Sequence, residues 1–455
     1  MTRAKHMERG EIRSMVGEQV GIGRQGGGGG RRRAGSRSLW AAMAGSAVET
    51  FDWTLYALLV PYFSGQLVGP GAAGTLVFYT GFAVGFLARP LGSVVLGRFG
   101  DRRGRRAAML LSMTVLAAGC FALAALPTAD RFGPGSVVLL VLVRIVQGLA
   151  VGAENSTVAA YVTETAPPER RMLYSGVSYG GVILGTVLCY LVLAALLAHF
   201  GPQQLRDGGW RAGFALGGLL GLAAVLIRRW AAESPEFLAC ARSDRHDSDA
   251  RGSRSRRLVR RNATAVFFMT AGLTSGYYLT ITYLPQYVRH TAGTADARGT
   301  AAMVAPLLLL LALMAATGAL ADRVGARPVF RAGLLLTALA TVPAYAAVSA
   351  RRLPAWIAAT LVLACLAGPL ATANVFFARL FPVRIRVVAM GLPLTLSIAL
   401  FGGAFPLLAE ALADAGHVRL VPWAATAAAT LSLAATCLVR EPIQPCAGQD
   451  PIPAG

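Results

Sequence analysis

Five ionisable side chains interrupt long apolar runs in this sequence: Glu49, Asp52, Arg89, Arg144 and Glu154. A charge at mid-bilayer costs at least about 2.5–3.5 kcal/mol on insertion scales, so each needs a partner or a task. Glu49, Asp52 and Tyr56 are spaced i, i+3, i+7, which puts them on one face of a helix. In a later run Arg144 and Gln147 are neighbours on a face, and Glu154 lies seven residues after Gln147, nearly above it. Two acids on one helix and a guanidinium on another can form a paired network. The guanidinium stays charged, whereas a carboxylate can take up or release a proton as its pairing changes. The pattern therefore predicts a proton-coupling and substrate cavity built from Glu49, Asp52, Tyr56, Arg144, Gln147 and Glu154. The competing reading is a static ion pair that only fixes helix packing. It suits Arg89, in the inner part of its run, and Glu154 if that residue lies near the cytoplasmic end. The later half of the chain carries essentially no such charges within its apolar runs.

The elements that must position these groups are membrane helices. Of 455 residues, 55% are hydrophobic and only 14% are charged. Apolar runs of about 18 or more residues recur, each long enough to span a bilayer core of about 30 Å. In hydrocarbon every backbone polar group must be satisfied within its own segment, so these runs are expected to be helices. Twelve are expected, six in residues 39–230 and six in 263–440, which predicts an all-α polytopic protein of two six-helix bundles. Residues 1–38 and 441–455 are expected as cytoplasmic tails, the first of them disordered, and 231–262 as a basic linker. Lysine and arginine concentrate in the tails, in the linker and in the turns near 97–106, 322–331 and 379–386. By the positive-inside rule, those segments and both termini are cytoplasmic.

The net charge of +21 invites a nucleic-acid reading, but the arginines lie in loops and tails with no basic stripe along a soluble domain. The six cysteines contain no C-x-x-C pair and read as packing residues. The five histidines form no H-x-x-x-H or similar cluster, and there is no Walker-type loop. The expectation is therefore no enzyme, no cofactor, no metal and no nucleic-acid partner.

One turn is repeated. Gly97–Arg106 reads G-R-F-G-D-R-R-G-R-R, and Gly318–Arg327 reads G-A-L-A-D-R-V-G-A-R. Gly97, Asp101, Arg102, Gly104 and Arg106 match Gly318, Asp322, Arg323, Gly325 and Arg327 at one constant offset. A repeat at that distance implies two structurally similar halves, a common plan in transporters. In the fifth run, Gly176, Gly180, Gly181 and Gly185 have the small-residue spacing that lets helices approach closely.

With twelve spans, a basic central linker and this turn after the second span, the chain resembles the major facilitator superfamily. Further residues narrow the resemblance. They are Glu49-Thr-Phe-Asp52-Trp-Thr-Leu-Tyr56, Arg89-Pro-Leu-Gly92, Arg144-Ile-Val-Gln147-Gly148, Glu233-Ser-Pro-Glu-Phe237 and Leu380-Phe-Pro-Val-Arg-Ile-Arg386. Together they are similar to the metabolite:proton symporter family, whose members carry proline and betaine, di- and tricarboxylic acids, and shikimate. Two positions depart from that pattern. Ala153 stands for a glycine, and Arg379 stands for a glutamate, so a cytoplasmic charge pair is missing or rewired.

The resemblance implies a plasma-membrane secondary carrier that works as a monomer, moving a small polar metabolite with protons by alternating access. Export of a secondary metabolite or drug is the alternative within the same fold, and the Gly-Pro element of many drug–proton antiporters is absent from the fifth span. It also implies a cytoplasmic gate in which Asp101, with Arg102 and Arg106, latches one bundle to the other, and Asp322 with Arg323 more weakly. Arg103 and Arg105 are expected only as positive charge on a capped turn. Tyr277, Tyr278, Tyr283 and Asn374 are candidates for the cavity in the second half.

Overall fold

The computed structural model describes residues 29–68, 73–242, 253–292, 304–403 and 405–439. The helices of the first half are α1 (Gly29–Val68), α2 (Ala73–Arg103), α3 (Arg105–Ala124), α4 (Gly135–Val151), α5 (Glu154–Thr165), α6 (Arg171–Gln204) and α7 (Trp210–Arg229). A short α8 (Pro235–Arg242) follows. The second half holds α9 (Ser253–Tyr278), α10 (Leu284–Ala292), α11 (Val304–Val324), α12 (Ala326–Ser349), α13 (Ala355–Ala378), α14 (Arg386–Ile398), α15 (Phe405–Asp414) and α16 (Val421–Ala435). No strand occurs among the described residues.

Eight helical stretches are long and apolar enough to cross a membrane on length and composition alone. One of them, Pro168–Arg229, is 62 residues long and bends at Gly201 into two passes, α6 and α7. The helices α1, α2 and α9 complete the twelve; they carry the acids, Arg89 and an arginine-rich first turn respectively. Helix pairs α4–α5, α9–α10 and α14–α15 each make one pass. Widened turns at Leu279–Tyr283 and Ala399–Gly403 join the last two pairs, where an extra residue per turn re-aims the side chains that follow. Large apolar side chains face outward on the shell, with Leu87, Leu91 and Val95 all about two-thirds exposed along one stripe of α2. Such a stripe suits lipid better than water.

Some expected boundaries shift. Residues 29–38 are helical where disorder was expected; residues 1–28 and 440–455 lie outside the described residues. The linker is partly ordered, since it includes α8 and the first turns of α9. Residues 243–252 lie outside the description. One cysteine also differs from expectation. Cys240 is disulfide-bonded, while Cys120, Cys189, Cys365 and Cys437 are free.

Each half has its own core. In the first, Phe51, Leu55, Leu59, Phe63, Trp210 and Phe214 pack together. In the second, Leu334, Tyr345, Val362, Leu366 and Leu370 do so. The two halves meet chiefly where α2 packs on α14 and α6 on α11, and also where α13 packs on α5 and α6 and α14 on α5. The glycine stripe in α6 serves both directions. Gly181 and Gly185 press against the backbone of Met43 and Ala47 in α1, while Gly176 presses against Met314 of α11. A side chain at 181 or 185 would strike main chain, which cannot give way. Replacing Gly185 with Leu is therefore expected to cost about 1–3 kcal/mol or more, the range for overpacking, read as a lower unfolding midpoint in detergent.

Candidate functional site

The acids on α1 split between two arginines. Asp52 Oδ2 accepts a 2.8 Å hydrogen bond from Arg144 Nη1 of α4, and both side chains are almost wholly buried. Cys120 of α3 donates to the other carboxylate oxygen at 3.1 Å. Tyr56, one turn beyond Asp52, lies beneath the guanidinium, whose carbon is 3.9 Å from the ring centroid. The sequence expectation of an Asp52–Tyr56–Arg144 cluster thus matches the geometry.

Glu49 is not in that cluster. It faces Arg89 of α2 at 3.7 Å, beyond hydrogen-bond distance, and both side chains are more than nine-tenths buried. The Arg89 guanidinium lies 4.3 Å from the rings of both Trp53 and Phe86. Arg144 lies 5.3 Å from the same Trp53 ring. Cation–π contact offsets part of the desolvation of each arginine.

Glu154 is elsewhere again. Its carboxylate takes short hydrogen bonds from Arg228 of α7 and from Ser112 of α3. Arg228, fully buried, also donates to Ala41 O at 3.1 Å and Met109 O at 3.0 Å. One guanidinium thus ties α1, α3, α5 and α7 together, and Glu154 pairs outside the Asp52–Arg144 bridge. Gln147 stays at the edge of the Asp52 cluster: its amide donates to Leu116 O of α3 at 3.3 Å and to Cys120 Sγ at 3.8 Å. Arg228 escaped the sequence reading because it sits in an R-R-W run that looks like interfacial charge. Only the bend at Gly152–Ala153 between α4 and α5 turns Glu154 toward it.

The repeated turn has the same geometry in both copies. Asp101 accepts from the backbone N–H of Val387 at 3.2 Å and Val388 at 3.1 Å, in the first turn of α14. Asp322 accepts from Met172 at 2.7 Å and Leu173 at 2.9 Å, in the first turn of α6. Each carboxylate therefore caps a helix of the opposite half, where unpaired N–H groups and the helix dipole favour a negative charge. Burial pushes the Asp101 carboxyl up to about 6, against the opposing pull of Arg105 and the two backbone donors. Gly104 and Gly325 end the two turns with φ of +106° and +93°, a region costly for any side chain.

The arginine roles differ from expectation. Arg102 and Arg323 are exposed. Arg106 bonds Arg229 O at 2.7 Å, within its own half. The fully buried member is Arg105, which binds Gly100 O at 2.9 Å, Asp101 at 3.1 Å and Glu164 at 3.2 Å, and reaches Val383 O across the interface. Glu164 also accepts from Arg386 at 2.7 Å, and Glu236 accepts from Arg386 at 3.2 Å and Arg171 at 3.5 Å. Glu233 caps α3 through the backbone N–H groups of Arg105 and Arg106. The arginine at 379 has therefore not emptied this end of charge pairs; Glu164 and Glu236 supply the acids. These bonds join the two halves at that end. Sequence spacing could not single out Arg105 among four arginines, because the backbone path after Gly104 decides which one points inward.

In the second half, Tyr283 donates to Ala409 O at 3.0 Å, a bond within that half. Tyr277 stands beside Thr186 of α6, across the interface. Tyr278 stands within electrostatic reach of Arg89 and Glu49. Asn374 is half-buried.

Comparison with known proteins fits this arrangement. The model of the Major Facilitator Superfamily matches residues 42–317. The chain is 30% identical over 415 residues to the alpha-ketoglutarate permease of Escherichia coli K12, covering 89% of this chain and 94% of that one. It is 30% identical over 397 residues to the ectoine/proline transporter ProP of Corynebacterium glutamicum, covering 84% and 79% of the two chains. The proline/betaine transporter of Escherichia coli K12 is 26% identical over 402 residues, covering 85% and 79%. Among solved structures, the proton:xylose symporter XylE superposes with a TM-score of 0.74 at 16% identity, covering 89% of this chain and 95% of that one. A family model that spans more than half of the sequence, a permease aligned nearly end to end, and twelve helical passes in two halves agree: the chain belongs to the Major Facilitator Superfamily of secondary transporters.

Proposed function

We propose that this protein takes up a small polar metabolite, an organic acid or a zwitterion, together with a proton, using Asp52 and Arg144 as the coupling pair. The observation that carries this reading is the wholly buried 2.8 Å bridge between them. A fixed cation beside an acid gives the acid two states, ionised when paired and free to bind a proton when the pair opens. Changing the pairing during alternating access would move the proton across. The relatives, carriers of alpha-ketoglutarate, proline, ectoine and betaine, support the substrate class. In this reading the protein is a monomer in the plasma membrane with both termini cytoplasmic. The halves 39–230 and 263–440 rock about the 231–262 linker. The test is uptake of labelled acids and betaines into proteoliposomes with an imposed pH gradient. Accumulation that requires the gradient is expected; accumulation unaffected by its collapse rejects proton symport.

The cytoplasmic gate belongs to the same reading. Asp101 and Asp322 latch the closed state, helped by Arg105 and the Glu164–Arg386 pair. A hydrogen bond to a charged group contributes about 1.5–3 kcal/mol, so removing the two at Asp101 should shift the balance of states at least about tenfold. Asp101→Ala is expected to lower transport with little loss of folded protein. A cysteine placed in the central cavity should then react faster with an impermeant thiol reagent from the cytoplasmic side. Unchanged labelling rates would remove the latch.

A further inference from the structure

Arg89 and Arg144 lie over the same indole, that of Trp53, at 4.3 and 5.3 Å, although they come from different helices. Both guanidiniums are under-satisfied. Arg144 uses one nitrogen on Asp52 and leaves its buried Nε and Nη2 without an acceptor. Arg89 leaves its buried Nε without one, and Glu49 stands off at 3.7 Å. Buried donors on a charged group are costly to leave unmade, and one such donor costs more than a neutral one. Two cations that share one aromatic neighbour thus carry three buried, unbonded N–H donors, a donor set suited to an anion. The site is also placed where the halves meet. Tyr278 of α9 is within electrostatic reach of Arg89, and Gly403 of the second half lies against Phe86, whose ring shares the Arg89 guanidinium.

We propose that Arg89 and Arg144 together bind the carboxylate of the transported solute at the Trp53 indole, so that the substrate class is defined by a carboxylate and not by an ammonium group. This rests on the carrier function proposed above. It adds Arg89 as a specificity-determining residue, with Glu49 as the internal carboxylate that holds Arg89 loosely until substrate arrives. With Glu49 and Asp52 ionised the four charged groups sum to zero, so neither guanidinium is surplus in the empty site. A substrate carboxylate competes with Glu49 for Arg89 more readily than with Asp52 for Arg144, since the first pair is not hydrogen-bonded.

Equilibrium binding to the purified full-length protein in detergent, followed by thermal shift, tests this with no gradient present. The probes are 2-oxoglutarate, succinate, proline, glycine betaine and choline. Choline has the trimethylammonium group of betaine without its carboxylate. At least one carboxylate is expected to stabilise the protein while choline does not. Arg89→Gln is expected to weaken binding of that carboxylate at least tenfold, and Arg89→Lys to weaken it less, because the point charge remains while the planar fork is lost. Glu49→Gln, which leaves both guanidiniums intact and removes the competitor, should bind carboxylates at least as tightly as the native protein. Stabilisation by choline equal to that by betaine, no stabilisation by any of the carboxylates, or unchanged affinity in both Arg89 variants overturns the proposal. A protein that binds carboxylates through Arg89 but does not use a pH gradient would instead overturn the symport reading and leave this site standing.

Discussion

Arg144→Ala is expected to abolish proton-driven accumulation and to lower the unfolding midpoint, whereas the double change Asp52→Asn with Arg144→Ala is expected to be no less stable than either single change. The reason is that the pair has no water to fall back on. Removing one partner of a buried ion pair costs about 3–5 kcal/mol, mostly because the remaining charge is stranded. Removing both leaves a neutral amide beside Cys120 and Tyr56, which costs far less. A double-mutant cycle on thermal stability should therefore show a coupling well above the roughly 0.3–0.5 kcal/mol scatter of independent sites. Additive effects would show that the two residues do not act as a pair. Asp52→Asn alone should still bind or exchange substrate while failing to accumulate it against a gradient. Arg144→Lys keeps a charge but loses the planar fork that bonds Asp52 while lying over Tyr56 at 3.9 Å, so at most weak transport is expected.

The second large effect concerns Arg228 of α7 and its partner Glu154, and should differ in kind. Arg228→Ala strands Glu154, which has only the Ser112 hydroxyl besides, and leaves the carbonyls of Ala41 and Met109 without their donor. A loss of about 3–5 kcal/mol is expected, visible as reduced yield of folded protein and not as altered coupling. Pairing it with Glu154→Gln should recover much of the stability, because no buried charge then remains. Gly45→Ala should mimic the defect from the other side, since a methyl group there would overlap the Arg228 guanidinium. If Arg228→Ala folded normally but lost gradient coupling, Glu154 would have to return to the coupling network.

These two experiments separate groups that look alike along the chain. Glu49, Asp52 and Glu154 are all acids in apolar runs, and sequence spacing placed them with Arg144 in one network. Folding divides them into three pairs on three levels of the first bundle. The division depends on helix rotation and on the bend after Gly152, which no local pattern records.

What the sequence determined by itself is what repeats or must be satisfied locally. Apolar run length sets the helices, because lipid offers the backbone no other partner. The repeated Gly-x-x-x-Asp-Arg-x-Gly turn marks two related halves, because a carboxylate at 101 or 322 and a positive φ at 104 or 325 need those residue types wherever the chain goes next. The i, i+3, i+7 spacing of Glu49, Asp52 and Tyr56 likewise fixes their common face. Tertiary structure decided which arginine each acid meets. It turned Arg105 inward and Arg102 outward, recruited Arg228 from an apparent interfacial cluster, and brought Glu164 to Arg386 across 222 positions of sequence. Those choices follow from how close the helices pack at their glycines and from the cost of leaving any buried charge alone, and both are properties of the assembled bundles.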